Sequence, residues 1–434
     1  MNKRVIIIGA GFAGLDATHV LSNQEGVEVV LIDKNNYHTF TPLLYQVATC
    51  GLDPSSIAYP IRSIFRNKKN VQFLMGKVTE IDYRAKHIAV MTENGLRQEA
   101  YDYLMVATGS VIDHFGQESI EAQSFGLKDL DDAIALRQHI LKLFEKATWT
   151  QDIEARDAMT TFAVVGGGPT GIETAGALYE LYNYVLLQEY GDNQPPLKVR
   201  VLLLEASETL LAPYPSALQN AAIEQLGSLG VEVVLNAKVT EVTPDALYLA
   251  DGRLIHTHTL IWSAGVKASP ILSLLDVEPQ RWGRVKPLET LQLPDREGVY
   301  LAGDLVYLED DKGQPYPMVI QVAKQQGKVA AENILRELSN QPLKLFKYND
   351  LGIMATIGRS RAVAWLFNRV QLRGYLAWLA WLFLHLVTLL GFKNRASVFV
   401  SWVWNYFTYD RSVRIILDDN RLRKPAPIEQ LQEE

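Results

Sequence analysis

The sequence predicts an α/β chain: two Rossmann-like dinucleotide-binding domains, followed by a C-terminal helical region. Three observations carry this reading. The glycine fingerprint Gly9-Ala10-Gly11-Phe12-Ala13-Gly14 directly follows the apolar run at 5–8. A second fingerprint, Gly166-Gly167-Gly168-Pro169-Thr170-Gly171, directly follows the apolar run at 162–165. In each half the next apolar run closes on an acid, Asp33 after 27–32 and Glu205 after 199–204. One such motif is a weak signal. Two of them, a domain's length apart and each in strand–turn–helix context, predict a chain that holds two dinucleotides.

Length and composition narrow the classes. With 434 residues the chain can form two or three domains with a large core. A net charge of −7 argues against nucleic acid as the main partner, because phosphate binding needs a basic face. The single cysteine, Cys50, excludes a disulfide framework within the chain and a catalytic dithiol, and argues against a cysteine metal cage. Cys50 itself reads as a small core residue. Met1-Asn2-Lys3-Arg4 runs straight into the first strand, so no secretory leader is expected.

The elements follow in order. Residues 5–8 are β-branched and apolar throughout, as in a buried parallel strand. Short strands are expected at 78–81, at 87–91 before the Asn94-Gly95 turn, and at 103–107. The last of these runs into Ala107-Thr108-Gly109, where small residues allow close backbone approach. Residues 113–160 read as a polar, helical connection. Residues 161–205 repeat the first fingerprint, with a longer helix that ends in a loop at 191–196. Further short strands lead to Trp262-Ser263-Ala264-Gly265, the counterpart of 107–109. A strand at 299–302 ends in Gly303-Asp304, and a helix is expected over 317–338. The expected division is a first unit of 1–113 and 294–345, a second of 114–293, and a C-terminal region of 346–434 whose end, 421–434, is loose.

The residues at these turns have definite uses. Gly9 permits the tight turn, Gly11 lets backbone N–H groups approach a pyrophosphate, and Gly14 lets helix and strand pack closely. Asp33 is placed to accept hydrogen bonds from a ribose, and Glu205 does the same in the second unit. A carboxylate there suits the free 2′-hydroxyl of NADH and repels the 2′-phosphate of NADPH, and nothing basic follows Glu205 before Lys238. Glu173, in the first turn after the second fingerprint, is either a charge favoured by the helix dipole or a group that reaches the nicotinamide or the quinone pocket. Gln321 and Gln325 stand four apart on one helical face, either beside a ring carbonyl or as a solvated polar stripe. No set of metal ligands is apparent.

Residues 374–392 carry no formal charge and are long enough to span a bilayer. On a helical wheel Trp378, Trp381, His385 and Thr388 share one side; Leu376, Leu379, Phe383, Leu386, Val387 and Leu390 share the other. Basic residues flank both ends, Arg369 and Arg373 before, Lys393 and Arg395 after. This favours a helix lying on the membrane over a spanning helix, a buried core helix or a dimer contact. Residues 398–407 add an aromatic block too short to span.

Together these features resemble the type II NADH dehydrogenases, single-subunit NADH:quinone oxidoreductases of the pyridine nucleotide-disulfide oxidoreductase superfamily. The resemblance covers nearly the whole chain. Its marks are Asn36-Tyr37-His38-Thr39-Phe40-Thr41-Pro42-Leu43-Leu44-Tyr45-Gln46-Val47-Ala48, the stretch 166–173, and Leu301-Ala302-Gly303-Asp304. Ile320-Gln321-Val322-Ala323-Lys324-Gln325-Gln326-Gly327 is similar to the family's quinone-site motif, with Ile320 in place of the usual alanine. The aromatic tail with Gly391-Phe392-Lys393-Asn394-Arg395 resembles its membrane anchor.

The resemblance implies non-covalent FAD at Gly9, Ala10, Gly11, Phe12, Ala13, Gly14, Asp33 and Lys34, with Thr108 and Gly109 nearby. It implies that Gly303 and Asp304 meet the ribityl-phosphate region, that Gln321 and Val322 lie by the isoalloxazine, and that the Val78 backbone meets the adenine. NADH is implied at Gly166, Gly168, Gly171, Glu205, Ala264 and Gly265. Glu173, Gln321 and Gln325 are the implied catalytic residues, and Arg373 is the candidate stand-in for a lysine common in the family. The implied activity is hydride transfer from NADH to FAD, then two electrons to a membrane quinone (ubiquinone, menaquinone or plastoquinone), without proton pumping. The implied setting is respiratory electron transport by a monotopic protein on the lipid bilayer surface at the cytoplasmic face of a prokaryotic membrane. A homodimer stays open. Two alternatives remain: an NAD(P)H-dependent reductase of a prenylated naphthoquinone (demethylphylloquinone or demethylmenaquinone type), and a membrane-docking NADH-sensing flavoprotein. Disulfide reductases and sulfide:quinone oxidoreductases work through cysteines this chain lacks.

Overall fold

The computed structural model describes residues 2–190, 197–411 and 413–416. In the first unit five parallel strands lie in the order Val299–Leu301, Tyr103–Val106, Lys3–Ile8, Val27–Asp33, Val71–Met75. Ile6 and Ile7 are fully buried between layers, which explains the unbroken apolar run. Gly9 then turns with φ +104°, a conformation that disfavours any side chain. The helix Phe12–Leu21 starts at once, and a Cβ on Gly14 would stand 1.8 Å from the Gly9 carbonyl oxygen. The helix Ile320–Leu338 packs across it through Gly327, where a Cβ would stand 2.2 Å from the Ala13 carbonyl oxygen. This helix begins at Ile320 rather than 317, because Val319 is extended (φ −128°, ψ 157°).

The second unit repeats the plan with parallel strands in the order Ser124–Phe125, Thr259–Trp262, Thr161–Val165, Arg200–Leu204, Glu232–Val234. Gly166 has φ +113°, and a Cβ on Gly171 would stand 1.9 Å from the Gly166 carbonyl oxygen. The same steric logic therefore operates at both fingerprints. The helix Pro169–Leu181 continues through a wider π-type turn, Tyr182–Leu186, into Leu187–Tyr190. The loop expected at 191–196 and the end at 421–434 lie outside the described residues.

Two chain crossings join the units, and they pair: Ser110–Ile112 runs antiparallel to Val266–Ala268. The return crossing therefore precedes the expected boundary at 293. Leu272, Leu275, Val285, Leu291 and Leu293 all pack in the first unit's core. The turn chemistry of that stretch did not reveal which core its leucines enter.

Beyond the second crossing comes a three-stranded antiparallel sheet of Gly352–Gly358, Arg361–Leu366 and Val370–Arg373. The helix expected over 374–392 is shorter, Tyr375–Thr388, and a second helix, Phe392–Thr408, takes in the aromatic block at 398–407. Leu389 is extended and Gly391 takes φ +81°, so the helix cannot continue. Among the described residues no helix is long and apolar enough to cross a membrane. Trp381 and Ala377 face the protein, while Leu376, Leu379, Phe383 and Val387 are exposed. The expected two faces are present, except that Thr388 is exposed and Leu386 and Leu390 are half-buried. The second helix is bound to the first unit: Asn394 donates to the Ala58 carbonyl (3.1 Å), Trp402 to Gln46 (2.8 Å) and Asn405 to the Gly51 carbonyl (3.0 Å). Cys50 is buried, as a core residue.

Candidate functional site

One cleft of about 2570 Å³ runs between the two units. Pockets for single small ligands hold roughly 300–1,000 Å³, so this space suits more than one bound molecule. Its floor in the first unit is the turn from Gly9 to Ala13. The Ala10 N–H donates to one oxygen of Asp33 (2.7 Å) and the Asn35 N–H to the other (2.9 Å). Burial raises the Asp33 pKa against these hydrogen bonds. Lys34, Val78, Thr108 and Gly109 continue the lining, and Gly14 and Val322 lie beneath it. The Thr108 hydroxyl is buried and has no hydrogen-bond partner among the described residues. Such a group calls for a ligand or water.

Opposite stand Gly303 and Asp304. Asp304 accepts from the Ser110 hydroxyl, which in turn accepts from Lys128 Nζ at 2.7 Å. The Ile320 helix begins at the cleft with no side-chain cap, so its first N–H groups and positive dipole end face the space. A turn where a Cβ on Gly11 would stand in open space at the cleft, an orphaned hydroxyl and an uncapped helix start fit a bound flavin.

The second unit contributes Gly168, Glu173, Ala264 and Gly265 to the lining. Gly166 and Gly171 act below the surface, as the close contacts above show. Glu205 also lies off the cleft wall; its carboxylate accepts from the Gly167 N–H (2.6 Å) and from the Ser207 N–H (2.7 Å). It stands to its glycine turn as Asp33 stands to Ala10.

Gln321 and Gln325 do share one face at the cleft, and neither forms a solvated stripe. Gln321 donates to the Gly352 carbonyl (3.1 Å) and accepts from the Leu351 N–H (3.3 Å). Gln325 exchanges two hydrogen bonds with the Asn349 backbone, each 2.9 Å. The amides thus pin the segment 349–352 to the helix. Arg373 is exposed on its strand and does not line the cleft, so it does not take the lysine's place there.

Glu173 is buried, so a surface charge on a helix start does not describe it. Burial raises its pKa to about 8, while the Thr356 N–H (3.3 Å) and the Trp381 indole pull weakly the other way. At neutral pH it is a carboxylic acid, a proton donor. Trp381 stacks on His385 with ring centroids 4.0 Å apart.

Three residues of the site escaped the sequence reading. His38 donates from Nδ1 to the Ala10 carbonyl (2.9 Å), tying the pyrophosphate turn to the next segment, and burial lowers its pKa to about 4. It sits inside the motif at 36–48, which was the available signal. Nothing local marks Lys128, in the polar connection; the helical wheel placed His385 beside Trp381 but gave it no role.

Two facing dinucleotide folds around one cleft define a class of pyridine nucleotide enzymes. Residues 3–327 match the family described as pyridine nucleotide-disulphide oxidoreductase. The type II NADH:quinone oxidoreductase Ndh of Mycobacterium tuberculosis is 37% identical over 441 residues, covering 99% of this chain and 93% of that protein. The type II NADH:quinone oxidoreductase of Haemophilus influenzae is 29% identical, covering 85% of this chain and 88% of that one. The fold is that of NDH2 from Plasmodium falciparum, solved in complex with NADH, with a TM-score of 0.88 at 20% identity, over 96% of this chain and 100% of the other. The chain belongs to the pyridine nucleotide-disulphide oxidoreductase family and, within it, to the type II NADH:quinone oxidoreductases.

Proposed function

We propose that this chain takes hydride from NADH onto non-covalently bound FAD and delivers two electrons to a membrane quinone, without pumping protons. The observation that carries this is the cleft that runs from the first fingerprint past Glu173 to Phe383 and Leu384 on the exposed apolar helix. A soluble donor and a lipid-borne acceptor thereby reach one space.

FAD supplies the two-electron carrier between hydride donor and quinone. The Gly9–Ala13 turn, Asp33 and the Ile320 helix start would hold it. The second unit's turn holds the pyrophosphate of NADH, with Glu205 at the adenosine ribose. Gln321 and Gln325 act by fixing the segment at 349–352 that walls the cleft. Overall, NADH, one proton and quinone give NAD⁺ and quinol. The Glu173 carboxyl donates a proton to the quinone oxygen and is reloaded from solvent. The apolar face of the last two helices rests on lipid, and placement at the cytoplasmic face of a prokaryotic membrane gives the cleft access to NADH.

The test uses purified holoprotein. Its yellow flavin absorbance should bleach anaerobically with NADH and return on adding quinone, and HPLC of the released cofactor should give FAD. No bleaching by NADH overturns the proposal. The Glu205 carboxylate should also make kcat/KM for NADH exceed that for NADPH by about tenfold or more, the equivalent of ~1.4 kcal/mol; the reverse preference removes Glu205 from the ribose site.

A further inference from the structure

The apolar end of the cleft contains a histidine whose hydrogen-bonding sense is set by its surroundings. His385 Nδ1 lies 2.7 Å from the Trp381 carbonyl oxygen. A carbonyl only accepts, so Nδ1 carries the hydrogen. Burial lowers the His385 pKa to about 4, so the ring is neutral near pH 7. Nε2 is then unprotonated and has no hydrogen-bond partner among the described residues.

The ring cannot readily turn away. It is stacked on Trp381 at 23° between planes, and Phe40 meets it edge-on at 6.1 Å. His385 lines the cleft where Phe383 and Leu384 lead out to the exposed apolar face. Trp381 also interacts with Glu173. The wall around Trp381 therefore offers two polar groups of opposite sense, a carboxylic acid that donates and an imidazole nitrogen that accepts.

A quinone ring offers only carbonyl acceptors, which pair with the Glu173 O–H. A hydroxylated ring offers an O–H, which Glu173 as a donor does not need and His385 does. We propose that His385 Nε2 accepts a hydrogen bond from a ring hydroxyl, so that the site distinguishes hydroxylated aromatic rings, the quinol product among them, from their carbonyl or ether counterparts. This makes His385 a specificity-determining residue, and it rests on the quinone-reducing reading above.

The experiment titrates holoprotein with 1-naphthol and with 1-methoxynaphthalene, which share a ring and differ in the O–H. Binding is followed by the perturbation of the bound-flavin absorbance, which needs no turnover. Wild type should bind the naphthol about tenfold more tightly than its methyl ether, the worth of one hydrogen bond. His385→Phe should abolish the difference while still binding the ether. His385→Gln, whose amide oxygen also accepts, should restore part of it. A difference that persists in His385→Phe, or that is absent in wild type, overturns the proposal. Parallel turnover of wild type with NADH and a water-soluble quinone separates the two claims. Turnover without the binding difference sinks only the role of His385; no turnover sinks the reading beneath it.

Discussion

Glu173, buried, and Asp33, half-buried, are both acids beside a glycine turn, yet their surroundings give them different chemistry. Asp33 accepts two backbone N–H groups within 2.9 Å, which favour its charged form. Glu173 accepts one, at 3.3 Å, and burial lifts its pKa from 4.5 to about 8. The folded protein therefore holds this proton more tightly than the unfolded chain does. Between pH ~4.5 and ~8 the folded state binds more protons, so stability falls as pH rises through that window. Glu173→Gln should remove this slope, read by comparing urea midpoints at pH 5 and pH 8.5 with wild type. The same variant should lower quinone turnover by ~10²–10⁴-fold, as expected for a lost general acid. It should also lose any decline of wild-type activity near pH 8, while flavin absorbance stays at full occupancy. The position of Glu173 was legible from the fingerprint. Its protonation was not, because Thr356 and Trp381, which surround it, lie far along the chain.

At the scale of elements, the glycines that matter are those where backbone meets backbone. Gly327 holds the Ile320 helix against the first fingerprint helix, with the Ala13 carbonyl 2.2 Å from where a Cβ would stand. A backbone oxygen cannot rotate aside. Gly327→Val should therefore cost ~1–3 kcal/mol by forced separation and release flavin more readily, measured by thermal unfolding and by flavin fluorescence on dilution. The strands, turns and acids of both units were readable because each is encoded within a short stretch of chain. The uncharged stretch 374–392 was less readable. Its composition is continuous, but the extended Leu389 and the Gly391 turn end its helix at Thr388 and start another at Phe392.

At the scale of the whole molecule, the exposed face of the last two helices is unlike an ordinary protein surface. Phe392 is 88% exposed, Phe407 77% and Phe383 71%, and all lie on the same pair of helices. Patches this apolar mark contact with lipid or protein. Phe392 and Phe407 do not line the cleft, so they separate anchoring from chemistry. Phe392→Asp with Phe407→Asp should lose vesicle binding by at least ~100-fold, since each buried phenyl is worth ~1.5–3 kcal/mol. Co-sedimentation with liposomes measures this. Turnover with a water-soluble quinone should remain, showing that the fold is intact.

The amino-acid sequence by itself determined the two glycine turns, the acids that follow them, the strands that flank them along the chain and the apolar character of the C-terminal helices. These depend on local sterics and periodicity, which act between near neighbours in the chain. Only the tertiary structure decided where the chain returns to the first unit, that Gln321 and Gln325 grip backbone at 349–352, and that Arg373 stays outside the cleft. It also decided that Glu173 is neutral and that His385 presents a bare nitrogen. Each of those depends on solvent exclusion or on a partner brought close by folding, and no pattern along the chain encodes such a distance.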